Sequence, residues 1–224
     1  MMRILAPLLF GLAGVALLIW LGVWQMQRLA WKEGVLSEIE ATIGGEPISL
    51  PLVPQENLHK YRSVELNGKF GEGALRVLVS RKRIGAGYRL ISPFATDGRV
   101  ILVDRGFIRL QTPVQPAPPG LVLLRGNLHW PDDRNSSTPQ NDVAGNTWFA
   151  RDLKQMADLL GAEPVLVVVR EMSQPDETVT PLPVDTSGIP NDHLQYAITW
   201  FSLAVVWVIM TGYYIFRSRN PAKG

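Results

Sequence analysis

Two stretches of the chain carry no charge, and the rest is arranged around them. Ile4 to Gln27 is one, a run of 24 residues, and Leu194 to Phe216 is the other, a run of 23. At a rise of ~1.5 Å per residue, either run as a helix crosses a hydrocarbon core of ~30 Å. The first run is longer than the apolar core of an ordinary signal peptide. It ends in Trp24-Gln25-Met26-Gln27-Arg28 without a clear small-residue cleavage site, so it reads as a retained span. It begins almost at the first methionine, with no Arg- and Ser-rich presequence ahead of it, which favours a bacterial protein.

Between the runs the pattern changes period. Helical spacing continues past the first run to about Ile43, where Gly44, Gly45 and Pro47 stop it. Short segments rich in β-branched residues follow, bounded by Gly, Pro or Asp: Arg62–Phe70, Leu75–Ser80, Tyr88–Phe94, Val100–Ile108 and Leu121–Leu128. Pro164–Arg170 reads as a strand buried on both faces. One amphipathic helix is expected over Trp148–Leu160, where Phe149, Leu153, Met156, Leu159 and Leu160 recur at helical spacing. The expected fold is a membrane protein of α+β class, in which two transmembrane helices flank a mainly antiparallel β domain with one or two helices. Its boundaries are 4–27 for the first span, 28–193 for the domain, 194–216 for the second span and 217–224 for a tail. The pattern leaves the strand order open.

The charge balance confirms this division and removes one class of partner. Net charge is +2 and the pI about 9.0, which at first favours an anionic partner. Yet residues 29–192 carry a net −3, and the ends hold Arg3, Arg28, Arg217, Arg219 and Lys223, a net +5. The basicity belongs to the span flanks, and a nucleic-acid surface is not supported. Arg217, Arg219 and Lys223 follow the second span, while Asp185 and Asp192 precede it. The positive-inside rule then places both termini in the cytoplasm and the domain in the periplasm of a bacterial inner membrane. The chain has no cysteine, which excludes thiol catalysis, Cys-ligated zinc and iron–sulfur ligation.

Enzyme signatures are missing. Gly85-Ala86-Gly87 reads as a Gly-rich turn leading into a strand, without a helix to receive a phosphate, and Arg81-Lys82-Arg83 as a solvated hairpin turn. No serine lies in a G-x-S-x-G elbow, and His59, His129 and His193 lack paired metal-ligand spacing. His59 and His129 read as surface or strand-end residues. His193 stands apart because it opens the second span. On a helix it shares a face with Tyr196, Ala197 and Trp200, and the first span presents Trp20, Trp24, Arg28 and Trp31 with Lys32 at its own outer end. A neutral imidazole ligates iron, aromatic rings line a porphyrin, and a guanidinium pairs with propionates. An interfacial aromatic belt with a hydrated histidine explains the same composition. Both readings stand on these residues alone.

Five blocks in order resemble the Surfeit-locus-one (Shy1-type) family of cytochrome c oxidase assembly factors. Leu21-Gly22-Val23-Trp24-Gln25-Met26-Gln27-Arg28-Leu29-Ala30-Trp31-Lys32 resembles the family's L-G-x-W-Q-x-x-R-x-x-W-K signature. Tyr61-Arg62 with Val64, Leu66, Gly68 and Phe70 is similar to its first domain strand. Gly87–Phe94 and Val100–Ile108, with Val103-Asp104-Arg105-Gly106-Phe107, resemble its central V-[ND]-R-G-W block, Phe107 standing for the usual Trp. Trp148-Phe149-Ala150-Arg151-Asp152 with Met156-Ala157 resembles its helix. Pro190-Asn191-Asp192-His193 through Tyr196 and Thr199-Trp200-Phe201 resembles P-N-N-H-x-x-Y-x-x-T-W-F, with Asp192 for the second Asn.

The resemblance implies an assembly factor for a haem-copper terminal oxidase rather than an enzyme. It implies haem a as cargo, with His193 as ligand to the haem iron and Trp24 contributing. Arg28, Trp200 and Tyr196 complete the expected site, Arg28 by inference from its charge. Implied partners are oxidase subunit I, haem a synthase and membrane lipid. The alternative is a haem-free membrane scaffold holding subunit I during assembly. Within the central block, Gly106 is expected to permit a bulge or close backbone approach, and Arg105 to form a structural charge pair.

Overall fold

The computed structural model describes residues 2–82, 84–174 and 176–219, without the side chains of 2–4 and 219. Arg83 and Lys223, and the side chains of Arg3 and Arg219, lie outside the described residues. The chain divides into two compact units, Met1–Glu38 with Thr186–Gly224, and Ile39–Asp185.

The first unit is a helix pair. Helix α1 spans Met2–Ile43, its last turn belonging to the second unit, and helix α4 spans His193–Arg219. Both are long and apolar enough to cross a membrane. Along α1 the buried positions Gly11, Gly22 and Gln25 fall on one stripe, and along α4 Ala197 and Ala204 do the same. The stripes meet in antiparallel order: Gly11 lies against Thr211, Gly14 against the Trp207 ring and Gly22 against the Phe201 ring. Lipid tails are as apolar as leucine, so burial alone does not hold two spans together. Small residues do so by letting backbones approach, and Trp207 Nε1–H adds a hydrogen bond to the Gly11 carbonyl at 3.1 Å. A Cβ at Gly22 would lie 2.5–2.8 Å from the Phe201 ring, so the ring or the helices must shift to admit it, and a side chain as large as leucine needs more room than the ring can yield. Gly22→Leu is therefore expected to part the helices. In this cysteine-free chain, a cysteine pair placed at Gly11 and Thr211 should cross-link severalfold less in the Gly22→Leu background.

The second unit is built on six strands: β1 (Ser63–Phe70), β2 (Leu75–Arg81), β3 (Gly85–Thr96), β4 (Arg99–Arg109), β5 (Val122–His129) and β6 (Glu163–Met172). Helix α2 (Glu56–His59) precedes them and α3 (Leu153–Leu160) falls between β5 and β6. The order is β1-β5-β6-β4-β3-β2, and β1 also pairs with β3 through Gly68–Phe70 against Phe94–Thr96. That pairing closes five strands on themselves and leaves β2 outside, beside β3. Closure removes most exposed edges. All pairs are antiparallel except β4 with β6.

Alternation of side chains sorts the core into two layers. Val64, Leu66, Phe94, Ile101, Val103, Leu124, Leu128, Val165, Val167 and Val169 fill the enclosed face. Leu75, Val77, Ile91, Leu102, Leu166 and Val168 face the other way and are covered by Trp148, Met156 and Ala157. Strand β6 thus buries both faces, as the unbroken Pro164–Arg170 pattern required. The last turn of α1 is tied in by its terminal carbonyl: Ile43 C=O accepts from Asn127 Nδ2 at 2.9 Å and Arg170 NH2 at 3.0 Å.

Two expectations from the sequence need correction. The helix expected over Trp148–Leu160 begins only at Leu153, because Trp148 forms a bridge with Val77, Trp148 N–H bonding to Arg76 C=O at 2.9 Å. Asp152 caps the shorter helix by accepting from Gln155 N–H at 3.2 Å. Gly85-Ala86-Gly87 is no turn but the start of β3, paired with Val79–Arg81.

His129 ends β5 as expected, yet its ring is largely buried and its Nδ1 has no partner among the described residues. Desolvation, aided by the Arg151 and Arg89 charges, lowers its pKa from 6.5 to about 4. A base whose folded pKa lies below its unfolded one loses stability as pH falls, because the unfolded state takes up the proton first. Wild-type stability should therefore decline between pH 6.5 and 4 more steeply than that of His129→Phe. The check is chemical denaturation of both chains across that window.

Candidate functional site

The signature at the second span occupies the start of α4. Pro190 cannot continue a helix backwards, and α4 opens at His193, with Tyr196 N–H donating to the Asp192 carbonyl at 3.1 Å. This puts His193 at the head of the buried stripe that continues through Ala197 and Ala204. Trp200 is half-buried near the same stripe, whereas Tyr196 is 55% exposed on the flank of α4.

On α1 the corresponding residues divide in the same way. Gln25 occupies the stripe and is only 8% exposed, while its neighbour Trp24 is 42% exposed. Arg28 sits one turn beyond Trp24. Its guanidinium lies 6.0 Å from the Trp24 ring centroid and 5.3 Å from that of Trp31, so the cation is held between two indole rings. Among the described residues no carboxylate pairs with it. The helix pair thus brings His193 to α1, but the residue it meets there is Gln25: His193 Nδ1 lies 2.8 Å from Gln25 Oε1. The sequence reading missed Gln25. Its signal was a neutral amide placed at stripe spacing after Gly22, inside the uncharged run.

These residues fit the donor set a haem needs. Nδ1 of His193 is engaged by Gln25, and Nε2 has no hydrogen-bond partner among the described residues. Exposed aromatic faces at Trp24 and Tyr196 and a carboxylate-free guanidinium at Arg28 supply apolar and anion-pairing surface. Among the described residues no group of three His, Cys, Asp or Glu side chains could hold a bare metal ion. The chemistry available is one imidazole nitrogen without a partner among the described residues, on a helix pair that also exposes aromatic side chains.

The central block of the second unit serves a different purpose. The β3–β4 register shifts between Leu90 and Ile91, which pair with Gly106 and Asp104, so Arg105 is the extra residue of a bulge. Gly106 has φ +124°, and a Cβ there would collide with the Thr180 carbonyl and come within 2.8 Å of Pro181 Cα. Phe107 and Thr180 exchange backbone hydrogen bonds of 2.7 and 2.9 Å across this contact. Arg105 is 1% exposed, ion-paired with Asp176, and its guanidinium reaches the carbonyls of Gln115 and Pro116 at 3.5 Å. Asp104 is fully buried, bonded to Arg89 Nε at 2.5 Å and accepting from Gly106 N–H at 3.0 Å. The block fastens the proline-rich 112–120 segment and the 176–181 segment to the sheet, in line with the expected bulge and charge pair.

Comparison with known proteins matches residues 12–205 to the sequence model of the SURF1 family. Surfeit locus protein 1 of Homo sapiens is 32% identical over 212 residues, covering 82% of this chain and 69% of its own length. The protein of the same name from Xenopus tropicalis is 32% identical over 210 residues, covering 82% of this chain. A SURF1-like protein of Rickettsia conorii is 30% identical over 218 residues, spanning 92% of this chain and 89% of its own.

Proposed function

The chain belongs to the SURF1 family, and on that premise we propose that it is an assembly factor for a haem-copper terminal oxidase. It carries haem a as cargo at the helix pair and delivers it to, or stabilises it in, subunit I. The observation that carries this reading is the state of His193: half-buried at the start of α4, Nδ1 bound at 2.8 Å, Nε2 unengaged among the described residues.

His193 is the ligand to the iron, Trp24, Tyr196 and Trp200 supply aromatic walls, and Arg28 meets the propionates. The iron supplies a Lewis-acid centre that one imidazole nitrogen satisfies. The protein's share is to hold that nitrogen ready, exclude water with rings, and balance anionic charge. Its place is a bacterial inner membrane, both termini cytoplasmic and the second unit periplasmic, an orientation that the basic residues after the second span support. Subunit I is the client, haem a synthase the donor, and lipid surrounds the apolar tail of the cargo.

The functional test is complementation. In a strain lacking the protein, wild type should restore oxidase carrying haem a, and a Trp24→Ala/His193→Ala chain should not. Full restoration by the double variant would replace this reading with that of a haem-free scaffold holding subunit I.

A further inference from the structure

We propose that Gln25 is a positioning residue, which fixes His193 in the Nδ1–H tautomer and so presents Nε2 as the ligating nitrogen. This deepens the haem reading and rests on it. A neutral imidazole in water favours the Nε2–H form, which would leave only Nδ1, the nitrogen nearest the backbone, to bind a metal. At 2.8 Å the Gln25 amide oxygen is an acceptor without a proton to give, so the hydrogen must come from Nδ1. Gln25 is 8% exposed on the stripe of α1, one turn from Gly22, where close backbone approach brings the two spans together. Water therefore competes poorly for the Gln25 amide. Metal-bound histidines characteristically donate their second N–H to such an acceptor, which sets tautomer, ring orientation and basicity.

The same pair would also serve as polar glue between two spans. That role alone predicts weaker helix association and no change in ring chemistry, so the test reads the ring. Full-length chain with ¹⁵N-labelled histidine is placed in lipid nanodiscs without haem, and His193 is assigned by difference from His193→Ala. The wild type should show Nδ1 protonated and Nε2 bare, and Gln25→Leu should move the proton to Nε2. A bare Nδ1 in wild type, or a tautomer unchanged in Gln25→Leu, overturns the proposal.

A second arm titrates the same proteins with haem a. Gln25→Leu should bind about 10–100-fold more weakly, the usual range for losing such a partner. Gln25→Glu should keep binding, lower the midpoint potential and raise the iron–histidine stretching frequency, because a carboxylate makes the imidazole a stronger donor. Equal affinity and potential in all three chains would overturn the proposal. Failure of wild type to bind haem at all would instead overturn the functional reading, while the tautomer measurement still decides the role of Gln25.

Discussion

Replacing His193 with alanine is expected to abolish haem a binding while the chain still inserts and folds. With Nε2 as the protein's iron ligand, its loss removes the one coordinate bond the described residues supply, and titration of the purified variant with haem a should show affinity reduced by at least ~100-fold. The folding cost is smaller. Truncation leaves the buried Gln25 amide without its partner, a penalty of about 1–3 kcal/mol. The aromatic walls should matter less. Trp24→Ala exposes an already half-open surface and should weaken binding without eliminating it. A His193→Ala chain that binds haem a as tightly as wild type would remove His193 as ligand.

The largest stability effect is expected in the second unit, at Arg105. Its guanidinium and the Asp176 carboxylate are 1% and 4% exposed, so neither is solvated by water. Arg105→Ala strands a buried carboxylate and removes the guanidinium contacts to the 112–120 segment, at a cost of about 3–5 kcal/mol, while the backbone bonds of Thr180 to Phe107 remain. At ~2–4 °C per kcal/mol for a unit of this size, melting should fall by roughly 10 °C. Near-ultraviolet circular dichroism of the detergent-solubilised chain reports this through the packed aromatic residues. The double variant Arg105→Met/Asp176→Leu should recover most of the loss, because it removes both charges and keeps the volume. A double variant as unstable as the single one would show that the segments depend on the ion pair itself. Haem binding is expected to survive both changes, since the proposed ligand lies on the helix pair.

What the sequence could and could not disclose follows from the range of each interaction. Long apolar helices are set by the local absence of charge, so the two that could cross a membrane were legible. Strands such as Val100–Ile108 and Pro164–Arg170 declared themselves through β-branched runs, and their ends moved by only one or two residues in the structure. The misread elements are those where a distant partner overrides local pattern. Trp148 fits an amphipathic helix until Val77 pairs with it, and Gly85–Gly87 looks like a turn until β2 extends it as a strand. Strand order was illegible for the same reason, because β1 finds β5 and β3 through contacts that no local window contains. Gly106 and Arg105 were legible as a glycine–charge pair inside a strand, but Asp176 as the partner was not.

At the candidate site, His193, Trp24, Arg28, Trp200 and Tyr196 were named from the sequence because charged and aromatic side chains stand out at span ends. Gln25 was hidden by its neutrality. Only the antiparallel packing of α1 on α4 brings it to the imidazole.

The central claim is that this chain holds haem a through His193, and the most direct measurement is a visible spectrum with pyridine haemochrome analysis. Full-length protein would be purified from cells that make haem a, wild type beside His193→Ala. Near-stoichiometric haem a is expected in the wild type and none above background in the variant. Wild-type protein free of haem a, or equal haem a in both, would contradict it.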